Sequence, residues 1–313
     1  MGEGCASDDV LRHTVGMPVT PPSHEERERS VAVAEGVRLH VVERGPVAGA
    51  PGARRPVLLV HGLASNARLW DGVARSLAAS GHPVVAVDQR GHGRSDTPDS
   101  GYDMATVTAD LAALVAALGW ARPVVAGQSW GGNVVLELAA RHPHSVSAVA
   151  AVDGGFIELS RRFHTWDECA AVLRPPHLEG TPAVRMEQWM REAHTDWPEE
   201  GIQGALANFE VRADGTIRPW LTLERHMMIL RELYAHKPLL TAPRIECPVL
   251  LVPADTGDVA WTHDKEEAVA ELLGALPDGR VHWFRPAHHD VHAQHPAEVA
   301  AVLSRLAEET DHR

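Results

Sequence analysis

The stretch RPVVAGQSWGGNVVLELAARHP, residues 122–143, decides the fold. A run of small apolar residues ends at Gly127, a serine stands between glycines, and a second apolar run follows at once. The first run predicts a buried strand, and the second, which Pro143 closes, predicts a helix. The stretch therefore predicts a strand, a tight turn with Ser129 at its tip, and a helix.

The pattern Gly127-x-Ser129-x-Gly131 has a chemical meaning in this setting. A serine at the tip of so sharp a turn has strained backbone angles, and the residues two positions away must be small. The N–H groups at the start of the helix point toward charge that develops beside the serine. Ser129 is therefore a candidate nucleophile, and the backbone N–H of Trp130 is a candidate oxyanion-hole donor. The alternative is a glycine turn with an incidental serine, which the flanking strand and helix disfavour.

Short apolar runs alternate with amphipathic segments along most of the chain. They lie at residues 56–62, 82–88, 122–127, 146–153, 247–253 and 280–284. Near-continuous runs of Val, Leu and Ala are typical of parallel strands that are covered on both faces. Alternation of strands and helices predicts a doubly wound α/β fold with a mostly parallel sheet. A β-hairpin that turns at Glu35 and Gly36 is predicted before the first of these runs.

The alternation stops between Gly154 and Pro243, where the apolar spacing is helical and no clear strand run occurs. This segment predicts a helical cap inserted over the sheet. The predicted organisation is an N-terminal arm at 1–29, a core at 30–153 and 244–306, a cap at 154–243 and a tail at 307–313.

The composition restricts the partners and the location. The chain has 313 residues and a net charge of −13, with no cluster of Lys and Arg, which argues against a nucleic-acid partner. No apolar run reaches 18 residues, so no membrane partner is expected. Cys5, Cys169 and Cys247 are widely spaced, and the N-terminus lacks the apolar segment of a signal peptide. We therefore expect a cytoplasmic monomer or homodimer that acts on a small molecule.

A serine hydroxyl needs a base, and residues 281–306, VHWFRPAHHDVHAQHPAEVAAVLSRL, supply histidines. Pro296 can occupy the first turn of the last helix, which places His288 and His289 in a loop at the carboxyl edge of the sheet. His288, His292 and His295 have helix-like spacings that could suggest a metal site. The loop is not a long helix and H-E-x-x-H is absent, so no metal is expected.

The third member of a catalytic triad should be a carboxylate beyond a strand. Asp255 and Asp258 follow the run at 247–253, and Asp153 ends the run at 146–153. Thr262 is predicted as the N-cap of the next helix, which places Asp258 in a short loop and leaves Asp255 to brace the turn. Asp258 is therefore favoured, with Asp255 and Asp153 as alternatives.

Two further sets of residues complete the predicted site. The second oxyanion donor is expected from the loop after LLVHG, residues 58–62, as the backbone N–H of Leu63, with His61 in a structural role. Cap tryptophans can line an apolar substrate pocket, although aromatic residues at helical spacing are equally typical of a core. The candidates for substrate binding are Trp166, Trp189 and Trp220.

Five motifs together resemble the α/β-hydrolase superfamily. They are LLVHGLASNARLW (58–70), VVAVDQRGHGRSD (84–96), GQSWGG (127–132), VLLVPADTGD (249–258) and HHDVHAQHPAEVA (288–300), and they cover roughly Val31 to Leu306. The resemblance implies that fold, a cap, and the chain order Ser, Asp, His. It also implies a catalytic histidine seven residues before the proline of the last helix, which is His289. His288 stands where the family usually has glycine, and A-D-T-G-D departs from the usual G-x-x-D.

Within this superfamily, DQRGHGRS and the Ser-Trp-Gly step resemble proline iminopeptidases, although Gln128 stands where those enzymes more often have glycine. Haloalkane dehalogenases and epoxide hydrolases have an aspartate nucleophile, whereas this chain has Ser129. We expect a serine hydrolase that needs no cofactor and cleaves a carboxylic ester or lactone through an acyl-enzyme. The alternatives are a proline iminopeptidase-like or amide hydrolase, a carbon–carbon bond hydrolase, and a ligand sensor with slow turnover.

Overall fold

The computed structural model describes residues 26–311. Most of the arm predicted at 1–29, including Cys5, lies outside the described residues. The first strand begins at Arg27, three residues before the predicted start of the core. Within the described chain, no helix is both long and apolar enough to cross a bilayer.

Ten strands lie in the described chain, eight of them in one central sheet. They are β1 (Arg27–Ala34), β2 (Val37–Arg44), β3 (Val57–Val60), β4 (Val84–Val87), β5 (Val124–Gln128), β6 (Ala148–Val152), β7 (Phe209–Val211), β8 (Ile217–Pro219), β9 (Val249–Val252) and β10 (Gly279–Val281). The sheet order is β1-β2-β4-β3-β5-β6-β9-β10. β1 pairs antiparallel with β2, and β2 with β4, while the remaining neighbours are parallel. The predicted hairpin and parallel sheet are confirmed.

Helices cover both faces of the sheet and build the cap. They are α1 (Asp71–Ala79), α2 (Met104–Ala117), α3 (Trp130–Arg141), α4 (Leu159–Arg162), α5 (Trp166–Leu173), α6 (Ala183–Ala193), α7 (Glu199–Leu206), α8 (Leu223–Ala235), α9 (Pro238–Thr241), α10 (Val259–Ala275), α11 (Val291–Gln294) and α12 (Pro296–Asp311). Leu111 of α2 and Val134 of α3 lie in one core cluster, and Leu77 of α1 and Leu303 of α12 lie in another. The two clusters confirm the doubly wound α/β architecture.

The segment between β6 and β9 holds α4 to α9, and it also holds the antiparallel pair β7 and β8. The expectation that this segment has no strands is therefore wrong. The turn between the two strands contains Asp214 and Gly215, and Gly215 has a φ of +79°. Asp214 accepts a hydrogen bond from the N–H of Thr216 at 2.9 Å. An Asp-Gly pair is a typical hairpin signal, but each strand has only three residues, too few to show an alternating pattern.

Two predicted helix boundaries also differ. α10 begins at Val259 rather than near Thr262, and the Thr262 hydroxyl donates to Asp255 at 2.6 Å instead of capping the helix. α12 continues to Asp311, so most of the segment predicted as a tail at 307–313 is helical. Leu306 and Ala307 are buried in the core, which holds this last part of the helix against the sheet.

Candidate active site

Ser129 lies between the last residue of β5 and the first residue of α3, as the opening stretch predicts. Its φ of 54° and ψ of −122° are in a region that costs a non-glycine residue about 1 to 3 kcal/mol. Its N–H donates to the carbonyl of Val152 at the end of β6, at 2.9 Å. The side chain makes no capping hydrogen bond to α3, so its hydroxyl is not tied to the helix that it precedes.

The neighbouring glycines are required by close backbone contacts. A Cβ at Gly127 would lie 2.1 Å from the carbonyl oxygen of Gly131, and a Cβ at Gly131 would lie 2.5 Å from that of His61. Gly154, which the sequence did not single out, is equally restricted, because its Cβ would lie 2.1 Å from the carbonyl oxygen of Ser129. The turn around Ser129 is therefore packed against two other loops of the site.

The carboxylate that pairs with the predicted histidine is Asp153. Nδ1 of His289 lies 2.7 Å from Oδ2 of Asp153, and the Asp153 side chain is only 2% exposed. Asp153 comes directly after β6, and β6 pairs with β5 so that Val152 lies opposite Gln128. The carboxylate and Ser129 therefore stand at the ends of adjacent strands.

The expectation that Asp258 holds the histidine is wrong. β6 lies between β5 and β9, so a residue at the end of β6 is one strand nearer to Ser129 than any residue after β9. Asp258 directly precedes α10, and its carbonyl accepts the N–H of Thr262 at 2.9 Å. Asp255, the first alternative, accepts the N–H of Gly257 at 2.9 Å and pairs with Arg285 at 3.2 Å.

The backbone of Asp153 is strained like that of Ser129. Non-glycine residues with positive φ in residues 26–311 are Ala64, Arg122, Ser129 and Asp153, and Asp153 has a φ of 38°. Ala64 follows Leu63 in the predicted oxyanion loop, so three of the four lie in the loops of the site. Backbone strain that the surrounding structure maintains is frequent at functional sites.

His289 and Asp153 each shift the pKa of the other. Partial desolvation opposes the charged imidazolium of His289, whose side chain is 53% exposed, but the hydrogen bond and negative charge of Asp153 outweigh it, so the pKa of His289 lies above its ordinary value. Burial likewise opposes the Asp153 carboxylate, but His289 and Lys265 outweigh it, so the pKa of Asp153 is lowered. Asp153 is therefore an anion at neutral pH, and it favours the tautomer of His289 that carries its proton on Nδ1.

The remaining histidines of the loop are placed differently. His288 is exposed like His289, but it contacts Gln294 rather than Asp153, and its backbone N–H donates to the Gln294 side chain at 2.8 Å. His292 is fully buried, and its ring lies 4.4 Å from that of Trp70. No group of three or more His, Cys, Asp or Glu side chains in residues 26–311 is arranged to hold a metal ion.

The predicted oxyanion loop is fixed by His61 and Gln89. Nδ1 of His61 lies 2.7 Å from the carbonyl of Gly62, and its Nε2 accepts the N–H of Gln89 at 3.0 Å. The Gln89 amide donates to the carbonyl of His61 at 2.7 Å. His61 thus has the structural role expected from the sequence, and the loop that it holds carries Leu63.

Gln128 is a functional candidate that the sequence did not identify. Its side chain is 2% exposed, and its Nε2 donates to the carbonyl of His289 at 3.3 Å and to Oδ1 of Asp290 at 3.2 Å. The residue before the serine therefore ties the nucleophile turn to the histidine loop. Gln128 occupies the first x of the G-x-S-x-G pattern, where any residue is allowed, so the pattern does not predict this contact.

The three cap tryptophans do not gather around Ser129 in the contacts that the structure describes. Trp166 packs edge-on against Tyr234, with 5.9 Å between ring centroids. Trp189 is 40% exposed, with the Arg185 guanidinium 5.1 Å from its ring. Trp220 lines a small pocket with Phe209. Their roles in substrate binding stay predictions.

Comparisons with known proteins support the fold described above. Residues 55–183 match the family model for the alpha/beta hydrolase fold. Epoxide hydrolase A of Mycobacterium tuberculosis is 43% identical over 119 residues, which are 37% of this chain and 35% of that protein. The crystal structure of E-2-(acetamidomethylene)succinate hydrolase has a TM-score of 0.76 at 23% identity, over 91% of this chain and 100% of that chain. The enol-lactonase from Burkholderia xenovorans has a TM-score of 0.63 at 21% identity, over 88% and 98% of the two chains.

The chain therefore has the α/β-hydrolase fold, and the resemblance of its motifs to that superfamily is confirmed. The chain spans 35% to 43% of the length of the first curated relatives that it matches.

Proposed function

We propose that this protein is a serine hydrolase with the triad Ser129, His289 and Asp153. The observation that carries the proposal is the 2.7 Å contact between His289 Nδ1 and Asp153 Oδ2, in the loop next to a strained serine at a strand–helix turn. Acyl transfer needs a nucleophile, a base that takes its proton, and a group that orients the base. The three side chains come from loops that stand together at the carboxyl edge of the sheet.

The mechanism follows from these roles. Nε2 of His289 takes the Ser129 proton while Oγ attacks the substrate carbonyl, and the oxyanion that forms is bound by the N–H groups of Leu63 and Trp130. Trp130 is the first residue of α3, so its N–H has no acceptor within the helix. His289 then donates the proton to the leaving group. Water attacks the acyl-enzyme in a second step of the same kind and releases the acid.

A carboxylic ester or lactone is the proposed substrate class. The curated relative with 43% identity is named an epoxide hydrolase, but its match spans 35% of that protein, and the residue at the nucleophile position of this chain is Ser129. A serine alkoxide attacks carbonyl carbon, and its acyl product is released by water without a cofactor. An amide or an N-terminal proline peptide is the second candidate, because the Ser-Trp-Gly step resembles that of proline iminopeptidases.

A fluorophosphonate probe tests the nucleophile directly. We expect labelling of the wild-type protein and none of Ser129→Ala, together with hydrolysis of short-chain nitrophenyl esters by the wild type alone. A panel that adds lactones and proline nitroanilide separates the substrate classes. An unlabelled Ser129, with no hydrolysis above the Ser129→Ala control, would contradict the proposal.

Substitution of the two neighbouring histidines tests the base. His289→Ala should lower kcat/KM by several orders of magnitude, whereas His288→Ala should leave it within a few-fold, because His289 contacts Asp153 and His288 makes no contact with Asp153 in the described structure. The reverse order of effects would show that His288 is the base.

A further inference from the structure

Lys265 of α10 holds the same carboxylate that pairs with His289. Its Nζ lies 2.8 Å from Oδ1 and 3.1 Å from Oδ2 of Asp153, and it donates to the carbonyl of Ala254 at 2.6 Å. The N–H of Ala254 donates to Oδ1 of Asp153 at 2.9 Å. Asp153 therefore receives a backbone N–H, an ammonium and an imidazole, so both of its oxygens are occupied.

A lysine at position 265 suits the contact with Asp153 and Ala254 better than an arginine would. The chain has 29 Lys and Arg residues, and only Lys237 and Lys265 are lysines. An ammonium carries three donors on one nitrogen, and in Lys265 it faces three acceptor atoms, the two oxygens of Asp153 and the carbonyl of Ala254. The planar fork of an arginine directs its donors differently and does not reproduce this arrangement.

We infer that Lys265 is a positioning residue that fixes Asp153 toward His289 and limits the basicity of the histidine. The inference rests on the proposed function, in which Asp153 orients the base. A lone buried carboxylate would be costly at this depth, and a positive partner keeps it ionised. The same partner neutralises part of the negative charge that stabilises the imidazolium of His289.

Several charged groups near Asp153 and His289 affect the pKa of His289. Partial desolvation lowers the pKa of His289 and Lys265 lowers it further, while Asp153 after β6 and Asp290 beside the histidine raise it. His292 of α11 lies within electrostatic range of His289, but burial and its neighbours hold the pKa of His292 at about 4, so it is neutral above that pH. Removal of Lys265 therefore leaves the negative charge of Asp153 and Asp290 less opposed, and the pKa of His289 should rise.

Kinetics with Lys265→Met and Lys265→Arg test the charge. His289 acts as a base only when it is neutral, so the acid limb of the kcat/KM profile reports its pKa. We expect Lys265→Met to move this limb upward by about 0.5 to 1 pH unit, the size expected from the loss of a nearby charge. Lys265→Arg retains the charge and should leave the limb near its wild-type position while it lowers kcat. Lys237→Met removes the other lysine, which pairs with Glu158 at 3.0 Å, and is the matched control.

Two kinetic outcomes would overturn the inference. One is an acid limb of Lys265→Met that overlays the wild-type limb. The other is an equal shift in Lys265→Met and Lys265→Arg, because packing rather than charge would then be responsible. Thermal melts of both variants establish that the rates are compared between folded proteins.

A measurement on the wild-type protein needs no turnover. Labelling with ¹³Cε-lysine gives two lysine signals, and the signal that disappears in Lys265→Arg is assigned to Lys265. We expect the Lys265 signal to shift as His289 titrates, and the Lys237 signal to stay constant over that range. A Lys265 signal that stays constant while His289 titrates would overturn the inference. A shift without any labelling of Ser129 by fluorophosphonate would instead support the charge coupling and contradict the proposed hydrolase.

Discussion

The ends of β6 and β9 both carry carboxylates at the edge of the sheet where Ser129 lies, but the two carboxylates make different contacts. Asp153 after β6 contacts His289 and Lys265 and is 2% exposed. Asp255 after β9 contacts Thr262 and Arg285 and closes its own loop. The end of β9 reaches the site through the backbone N–H of Ala254, which supports Asp153. One strand end supplies the carboxylate that contacts His289, and the next strand end supports that carboxylate.

Exchange of the carboxylates for amides gives the largest expected difference between the two strand ends. Asp153→Asn keeps the size of the side chain but removes the charge and disturbs the tautomer of His289, so kcat/KM should fall by about 10³- to 10⁴-fold. Asp258→Asn should remain within a few-fold of the wild type. Steady-state kinetics on a nitrophenyl ester check both variants. A loss in Asp258→Asn that equals the loss in Asp153→Asn would place the acid after β9 and break the comparison.

The sequence predicted the strand–turn–helix unit around Ser129 because the relevant signals are local. The strand before Ser129, the helix after it and the small residues at 127 and 131 all lie within one short stretch. The position of His289 follows from Pro296, which begins α12 as expected. Sequence patterns of this kind report which backbone conformations the residues permit.

The carboxylate partner of His289 could not be predicted by the same means, because its identity depends on strand order. Asp153 and Asp258 both follow apolar runs, and nothing local to either shows that β6 lies beside β5 while β9 lies one place further. The partner Lys265 is 112 residues from Asp153 along the chain. The contact of Gln128 with the histidine loop spans 161 residues and was missed for the same reason.

Gln128 offers a second, smaller test of how the site is assembled. Gln128→Ala removes the hydrogen bonds to the carbonyl of His289 and to Asp290, so the histidine loop loses a buried attachment to the nucleophile turn. We expect kcat to fall about 10-fold, the cost of about 1.4 kcal/mol, with little change in KM. Gln203→Ala, which removes a surface contact to Glu199, is the control. A rise in KM with unchanged kcat would show that Gln128 serves substrate binding instead.

The pH dependence of the reaction tests which carboxylate the histidine senses. The pKa of His289 is raised by Asp153, so activity should fall as the pH drops through a midpoint above the ordinary histidine value of 6.5. In Asp153→Asn the negative charge is absent, and the midpoint of the residual activity should move downward. Asp255→Asn should leave it unchanged. A midpoint that responds to Asp255 rather than to Asp153 would reverse the roles of the two strand ends.

We expect the smallest effect from Asp255→Asn, as a change in the free energy of unfolding. The Arg285 partner of Asp255 is 43% exposed, and an ion pair that solvent screens contributes about 0 to 1 kcal/mol. The amide of the variant can still accept the Thr262 hydroxyl and the N–H of Gly257, which closes the loop before α10. Urea unfolding should therefore show a loss of at most about 1 kcal/mol. A stable Asp255→Asn protein without activity would mean that the end of β9 acts in the chemistry directly, because loop closure alone does not require the charge.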